Sequence, residues 1–239
     1  MGGTVRQVGV DIEDIKHLLA YYQALGFENL PVSLGSVSDV IPETGTGKHS
    51  GDKKSLLEEL RVHIGDCQRC KLAKHRSNLV FGTGNPDARL MFIGEAPGKE
   101  EDLQGLPFVG DAGMLLTRLI EKMGMKREEV YIANIIKCRP PMNRDPEEDE
   151  IATCRGFIEK QIEIIRPQII MTLGRIALQA LMKMPKLRIT SARGHYYDYK
   201  GIAVMPTFHP AYLLRNPKDK ILTWADAQKV MTRIAQSSS

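Results

Sequence analysis

The sequence predicts an α/β fold in which helices cover both faces of a parallel β-sheet. Strand-like and helix-like segments alternate along the chain from residue 55 onward, which is the order that parallel sheets require. The strand-like segments are short apolar runs, and two of them end at turns, GEAPG (residues 94–98) and FHPA (residues 208–211). The chain has 239 residues with 42% hydrophobic content, so it can bury one sizeable core.

The N-terminal part of the chain is predicted to be separable. Asp11 can cap a helix in which apolar residues recur at helical spacing until Gly26. Residues 31–54 are rich in glycine, serine, proline and threonine, which is typical of a flexible linker. The helix is either a loosely packed appendage or a docking helix, within residues 1–30, for a replication or repair partner. We therefore divide the chain into an N-terminal helix and linker, residues 1–54, and a domain, residues 55–239.

The elements of the main domain follow from capping signals and apolar periodicity. Ser55 and Glu58 have the spacing of a capping box, so a helix is predicted to open the domain. Asp145 is predicted to cap a long helix that has Pro146 at its first position and stops before Pro167. The strands are predicted at residues 89–93, 130–136, 168–173 and 202–207, and further helices at residues 112–123, 174–184 and 218–234.

Composition excludes some classes of protein and leaves others open. The 33 basic and 29 acidic residues give a net charge of +4, which is compatible with a nucleic-acid partner but does not establish one. No apolar run is long enough to cross a bilayer, so we expect no membrane association. The first residues lack the apolar core of a signal peptide, and we therefore expect a cytoplasmic, prokaryote-type setting.

Four cysteines are the only thiols of the chain. Cys67 and Cys70 form a C-x2-C pair, while Cys138 and Cys154 follow with fifteen residues between them. In a reducing compartment such thiols are better explained as metal ligands than as disulfides. Four-thiolate sites hold structural zinc or an iron–sulfur cluster, and the spacing alone leaves both open.

Three motifs resemble those of the family 4 uracil-DNA glycosylases. They are GEAPGKEEDLQGLPFVGDAGMLL (residues 94–116), NIIKCRPPMNRDP (residues 134–146) and MPTFHPAYLLRNP (residues 205–217). The resemblance also includes the cysteine spacing and runs from about residue 55 to the C-terminus. It implies a three-layer α/β/α sandwich with a four-stranded, mostly parallel sheet. It also implies a 4Fe–4S cluster on the four cysteines and no organic cofactor.

The activity implied by this resemblance is removal of uracil from single- or double-stranded DNA by a monomer, leaving an abasic site for base-excision repair. Cleavage of the glycosidic bond leaves negative charge on uracil, so donors should face the base. His209 is predicted to donate to uracil O2, and Asn134 to bind O4 and N3–H. Phe108 is predicted to stack on the flipped base. Without the motifs, the histidine and the phenylalanine would be explained as ordinary core residues.

The pocket floor is predicted to contain Glu95, Ala96 and Gly98. Better-known relatives have an aspartate at the position of Ala96 and a bulky aromatic residue at that of Gly98. Because of this difference, the sequence does not identify the carboxylate that positions the attacking water. Glu95 is the candidate, and Glu101 and Asp102 are weaker alternatives.

Contacts with DNA are predicted for the segment after His209. Tyr212, Leu213 and Leu214 can form an apolar wedge and Arg215 a phosphate contact, or the apolar three can be the buried face of a short helix. Further basic residues near the strand ends are predicted to contact phosphates: Lys99, Lys137, Arg139, Arg144, Arg188 and Arg193.

Two other functions compete with the enzyme. One is a non-catalytic DNA-binding domain or a domain associated with a phage-type DNA polymerase. The other is a four-cysteine zinc module that binds nucleic acid, which leaves GEAPG and HPA without a purpose.

Overall fold

The computed structural model describes residues 52–236. The predicted N-terminal helix, most of the linker and the predicted partner segment in residues 1–30 lie outside the described residues. The division of the chain at residue 54 therefore stays a prediction.

A six-stranded mixed sheet forms the centre of the described domain. Its strands are β1 Thr83–Gly84, β2 Leu90–Gly94, β3 Tyr131–Asn134, β4 Ile169–Leu173, β5 Tyr197–Tyr199 and β6 Ile202–Thr207. They lie in the order β1-β3-β2-β4-β6-β5 across the sheet, and the four central strands are parallel. The two outer strands are short and antiparallel to their neighbours. The four predicted parallel strands are confirmed, and the edge strands were missed because each has only two or three residues.

Eight α-helices are described in residues 52–236. They are α1 Lys53–Ile64, α2 Lys99–Gln104, α3 Asp111–Lys122, α4 Glu148–Ile165, α5 Arg175–Met182, α6 Ile189–Ala192, α7 Pro210–Arg215 and α8 Lys220–Gln236. Short 3-10 turns occur at Lys71–Lys74, Arg127–Glu129, Pro141–Asn143 and Pro217–Asp219. None of the helices in this part of the chain has the length and apolar character needed to span a membrane.

Two apolar cores lie on opposite faces of the sheet, so the predicted three-layer sandwich is confirmed. In β2, Met91 and Ile93 belong to one core, which includes Ile158 of α4. Leu90 and Phe92 belong to the other, which contains apolar side chains of α3 and α8. Successive side chains of a strand point to opposite faces, so a strand buried on both faces is apolar at every position.

Two predicted helix starts are wrong by a few residues. The first helix begins at Lys53, and Asp52 rather than Ser55 caps it. The longest helix begins at Glu148, where the Glu150 carboxylate accepts a hydrogen bond from the N–H of Glu147. Asp145 lies before that helix and forms an ion pair with Arg175 at 2.6 Å. Asp145 therefore contacts the first residue of α5 and does not cap the longest helix.

The sheet topology creates a crevice at the carboxyl ends of the central strands. From β2 the chain crosses to β3 on one side, and β4 lies on the other side of β2. In open α/β sheets, ligands bind outside the carboxyl ends at such a reversal of strand order. The turns that follow β2, β3, β4 and β6 meet there.

Candidate active site

The last residues of β2 and β3 bring two predicted site residues together. Gly94 and Asn134 are register partners across the parallel pair. A side chain at Gly94 would overlap both the Asn134 Oδ1 atom and the ring of Phe108. The glycine is therefore required by this close approach, and Phe108 and Asn134 share the small volume above it.

The amide oxygen of Asn134 has no hydrogen-bond partner. Asn134 is 1% exposed, and its Oδ1 is one of the few buried side-chain polar atoms that are unpaired among the described residues. Burying an acceptor without a donor costs about 1–3 kcal/mol. Such an atom is expected where a ligand supplies the missing donor.

The turn that carries Phe108 is strained and is held by two charged side chains. Phe108 has a φ of 53°, which is unusual for a bulky residue. The Arg127 guanidinium donates to the carbonyl oxygens of Pro107 and Phe108 at 2.6 and 2.8 Å. On the other side of the turn, Glu101 Oε1 accepts from the N–H groups of Val109 and Gly110 at 2.9 and 3.1 Å. These contacts hold the buried ring beside Asn134.

Glu101 and Asp102 both serve backbone groups. The second carboxylate oxygen of Glu101 accepts from Gly98 N at 3.1 Å, and a Cβ at Gly98 would lie 2.6 Å from that oxygen. A larger side chain at this position would displace Glu101. Asp102 is buried and accepts from the N–H groups of Ser77 and Asn78. Neither is therefore a good candidate for positioning water.

His209 is held in one tautomer at the carboxyl end of β6. It follows β6 and caps α7, with Nδ1 accepting the N–H of Ala211 at 3.1 Å. A Cβ at Gly174, the residue after β4, would lie 3.0 Å from His209 Cβ. Burial lowers the pKa of His209 to about 4, although Glu101 opposes the shift. A neutral ring that accepts at Nδ1 carries its hydrogen on Nε2.

The rings of His209 and Phe108 are neighbours, and their centroids are 5.7 Å apart. Phe108 therefore lies next to both Asn134 and His209 at the carboxyl ends of the strands. Ala96, also predicted for the pocket, is partly buried and packs against the core on the α4 side of the sheet.

Glu95 is the carboxylate of the crevice with the most perturbed acidity. Burial raises the pKa of Glu95 to about 7, and Asp145 adds to the rise while Arg175 lowers it. Sequence reasoning missed the contribution of the Asp145–Arg175 ion pair to the site. The two residues are 30 positions apart, and only the fold brings them near Glu95.

The four cysteines are free thiols that associate with one core and with basic side chains. All four belong to or pack against the apolar core on the α4 side of the sheet. Arg76 Nη1 donates to Cys138 Sγ at 3.0 Å, and Arg69 Nη1 donates to Cys67 Sγ at 3.2 Å. Burial raises the pKa of Cys138, Arg76 opposes this rise, and Cys70 and Cys67 add to it.

These donors suit sulfur atoms that carry negative charge, because N–H groups stabilise thiolates. Within residues 52–236, no group of three or more His, Cys, Asp or Glu side chains is arranged to hold a metal ion. That finding concerns ions, whereas in a four-iron cluster each thiolate binds a different iron.

Lys137 is wrongly predicted as a phosphate contact. It is 1% exposed, and its Nζ donates to the carbonyl of Asn134 at 2.9 Å and to Gln161 Oε1 at 2.6 Å. Its own backbone N–H donates to Cys154 Sγ at 3.3 Å. Burial lowers the pKa of Lys137 to about 7, and Cys154 and Cys138 oppose this shift.

The predicted wedge after His209 is only partly exposed. Leu213 is 3% exposed and lines an apolar cavity of about 170 Å³ beneath α7, so its prediction as a DNA contact is wrong. Tyr212 stacks on Phe208 with centroids 4.9 Å apart, and its hydroxyl donates to Asp219. Leu214 is 44% exposed, and Arg215 beside it is also exposed.

Two arginines of the loop after β3 differ in whether their side chains are free to contact a DNA phosphate. Arg144 forms a two-pronged contact with the buried Glu150 carboxylate at 2.9 and 2.7 Å. The Glu150 contact raises the pKa of Arg144, and it occupies the fork that a phosphate would need. The prediction of Arg144 as a phosphate contact is therefore not supported by its geometry. Arg139 is partly buried and contacts the exposed Asn143.

Comparison with known proteins gives consistent matches over the motifs. A family model described as the uracil DNA glycosylase superfamily matches residues 81–229. A type-4 uracil-DNA glycosylase of Saccharolobus solfataricus is 50% identical over 182 residues, covering 73% of this chain and 84% of that protein. The type-4 uracil-DNA glycosylase of Thermotoga maritima is 48% identical over 170 residues, which cover 71% of this chain and 88% of that protein. The type-4 uracil-DNA glycosylase of Sulfurisphaera tokodaii is 46% identical over 182 residues, which cover 73% of this chain and 83% of that protein.

Proposed function

The chain belongs to the uracil-DNA glycosylase superfamily, and from this premise we propose that it hydrolyses the N-glycosidic bond of deoxyuridine in DNA. The substrate is a uracil flipped out of single- or double-stranded DNA, and the product is an abasic site that enters base-excision repair. The observation that carries the proposal is the unpaired, buried Oδ1 of Asn134 beside Phe108 and His209.

Asn134 provides the recognition of uracil. Its amide oxygen accepts the uracil N3–H, and its amide nitrogen donates to O4. Cytosine offers an acceptor at N3 and a donor at N4, so both contacts would be mismatched. A site that leaves buried polar groups unpaired rejects the wrong ligand strongly.

His209 provides the donor for the departing base. The neutral ring has its hydrogen on Nε2, because Nδ1 accepts from Ala211. As the glycosidic bond breaks, negative charge develops on uracil O2, and a fixed donor there lowers the barrier. A neutral imidazole holds this position without carrying a buried charge.

Phe108 provides a stacking face for the flipped base. A ring held by Glu101 and Arg127 from two sides is positioned before the base arrives. This reduces the entropy that binding must remove. The strained φ of Phe108 is consistent with a conformation that is selected for function.

Glu95 is the proposed carboxylate that positions the attacking water. A pKa of about 7 leaves it about half ionised at neutral pH. The nearby Arg175 favours its ionised form. For DNA contacts we propose the exposed Leu214 and Arg215, together with Arg139.

Cys67, Cys70, Cys138 and Cys154 are proposed to hold a 4Fe–4S cluster, with zinc as the less favoured alternative. The free thiols and the arginine N–H groups directed at two of them support a thiolate centre. When bound, the group would supply a structural link between the turn before residue 71, the loop after β3, and α4. Glycosidic hydrolysis needs no electron transfer. A reducing, cytoplasmic setting and a monomeric state fit this proposal.

The proposal is tested with a labelled oligonucleotide that contains one uracil. Incubation followed by alkaline cleavage at abasic sites should produce a cut at that position, and an oligonucleotide with cytosine there should stay intact. Replacement His209→Ala or Asn134→Ala should each lower the single-turnover rate by about 10²–10³-fold while thermal unfolding changes little.

Binding of the oligonucleotide without any excision would support the competing non-catalytic DNA-binding domain. Full activity of both variants would refute the assigned roles. Iron and sulfide analysis of the purified protein tests the cluster separately from the activity.

A further inference from the structure

Lys137 is a buried ammonium group without a carboxylate partner among the described residues. Its Nζ donates to two neutral acceptors, the Asn134 carbonyl and Gln161 Oε1. The Gln161 amide cannot turn away, because its Nε2 donates to the Phe81 carbonyl at 3.0 Å and to the Tyr131 hydroxyl at 3.2 Å. Gln161 and Lys137 are both buried, so these hydrogen bonds lie in the interior of the domain.

A buried positive charge requires a negative charge nearby. Two neutral hydrogen bonds do not compensate for the several kcal/mol lost when an ammonium group leaves water. The acidic side chains next to Lys137 are Cys138, which follows it in the chain, and Cys154, whose Sγ accepts the backbone N–H of Lys137 at 3.3 Å. As protonated thiols they offer no charge, whereas as ligands of a metal cluster they are anionic.

We propose that Lys137 connects the four-cysteine centre to uracil recognition, acting as the internal counter-charge of the centre and as the donor that fixes the Asn134 main chain. This inference rests on the proposed function and deepens it. Lys137 is a positioning residue, because its ammonium contacts Asn134 through the main chain and is not placed against the substrate.

Two hydrogen bonds and one peptide bond connect Lys137 directly to Asn134 and to two of the cysteines. Its side chain holds Asn134, its backbone N–H donates to Cys154 Sγ, and its peptide bond continues into Cys138. A displacement of either cysteine therefore moves the residue that holds Asn134. A methionine or leucine would fill the same buried volume without the cost of a charge, so packing alone does not explain a lysine here.

The first test measures the cluster. In Lys137→Met, the midpoint potential determined by voltammetry should become more negative, because removing a positive charge near the cluster favours its more oxidised state. Lys160→Met is the matched control, since Lys160 lies on α4 beside Gln161 and pairs with Glu163 at the surface. The control should keep the parent potential.

The second test is a double-mutant cycle on the single-turnover rate. Lys137→Met alone should lower the rate about 10–100-fold, the usual effect of removing a group that orients a functional ligand. In the Asn134→Ala background the same substitution should have little further effect, because the amide that it positions is gone.

The outcomes separate this inference from the proposed function. An unchanged potential at parent iron content, or fully additive effects in the cycle, overturns the role of Lys137 and leaves uracil excision intact. Full activity of Asn134→Ala instead refutes the proposed recognition of uracil. If the parent protein contains zinc and no iron, the role of Lys137 as the counter-charge of an iron cluster is refuted. Should Lys137→Met not fold, Lys137→Gln also removes the charge, and the same shift in potential is expected.

Discussion

Replacement of Glu95 by glutamine should make the protein more stable and less active at the same time. In the folded protein the pKa of Glu95 is about 7, raised from 4.5 mainly by burial. Between these two values the folded protein keeps a proton that the unfolded chain releases. The free energy of unfolding therefore falls as the pH rises through this range, and the whole cost is present above about pH 7.

The size of this cost follows from the two pKa values. A change from 4.5 to about 7 corresponds to about 3 kcal/mol of destabilisation by the charged form. Glutamine has a similar shape and no charge, so Glu95→Gln removes that cost at alkaline pH. For a domain of this size, about 3 kcal/mol corresponds to a rise in Tm of about 6–12 °C.

Thermal unfolding at pH 8.5 and at pH 4.5, together with the pH dependence of excision, measures both effects. The Tm of Glu95→Gln should exceed that of the parent at pH 8.5 and be close to it at pH 4.5. The parent rate should rise with pH around 7 as Glu95 ionises, and this rise should be absent in the variant. His209 does not produce it, because its pKa of about 4 leaves the ring neutral throughout.

The control is Glu100→Gln, because Glu100 is an exposed residue of α2 in the same motif. Glu100→Gln should have the parent Tm at both pH values, and its excision rate should depend on pH as that of the parent does. A variant Glu95→Gln with parent activity across the pH range would refute the role in positioning water. A Tm gain that is equal at both pH values would refute the electrostatic reasoning.

Three further predictions concern the supports of the site. Glu101→Ala leaves three backbone N–H groups without their acceptor, so the excision rate should fall about tenfold or more, whereas Glu100→Ala should retain the parent rate. Leu213→Ala should lower the free energy of unfolding by about 2–5 kcal/mol in chemical denaturation. Leu214→Ala should leave the free energy of unfolding unchanged, and it should slow excision from duplex DNA more than excision from single-stranded DNA. Removal of the proposed metal centre with acid and a chelator should lower the Tm and make all four cysteines reactive to a thiol reagent, and parent stability afterwards would contradict a structural role.

Much of the fold could be predicted because its central strands are buried on both faces. Residues 202–207 were predicted as a strand, and the observed β6 has the same bounds. The edge strand β1 has only two residues and pairs instead with Tyr131 and Ile132, which are distant in the sequence. Asp145 has good capping spacing but pairs with Arg175, and the local pattern contains no sign of that contact.

The residue types of the site could be predicted, but their separate tasks could not. Glu95, Glu101 and Asp102 lie within eight residues of one motif and are chemically alike. Tertiary neighbours give them different tasks: Glu101 and Asp102 accept backbone hydrogen bonds, while burial and Asp145 raise the pKa of Glu95. The partners of Asp102 lie about 25 positions away in the sequence, and no spacing rule connects them.

Three residues at the crevice carry features that cost free energy locally. Asn134 ends a buried strand with an unpaired oxygen, Phe108 adopts a left-handed φ, and Lys137 buries an ammonium group. Each feature costs free energy, and a sequence selected for stability alone would have a better residue at each position. Because the costs are concentrated at one end of the sheet, a common purpose explains them better than three independent accidents. A flipped base would pair the oxygen and stack on the ring, and the proposed anionic cluster would compensate the lysine, so the proposed substrate and cofactor would together account for all three.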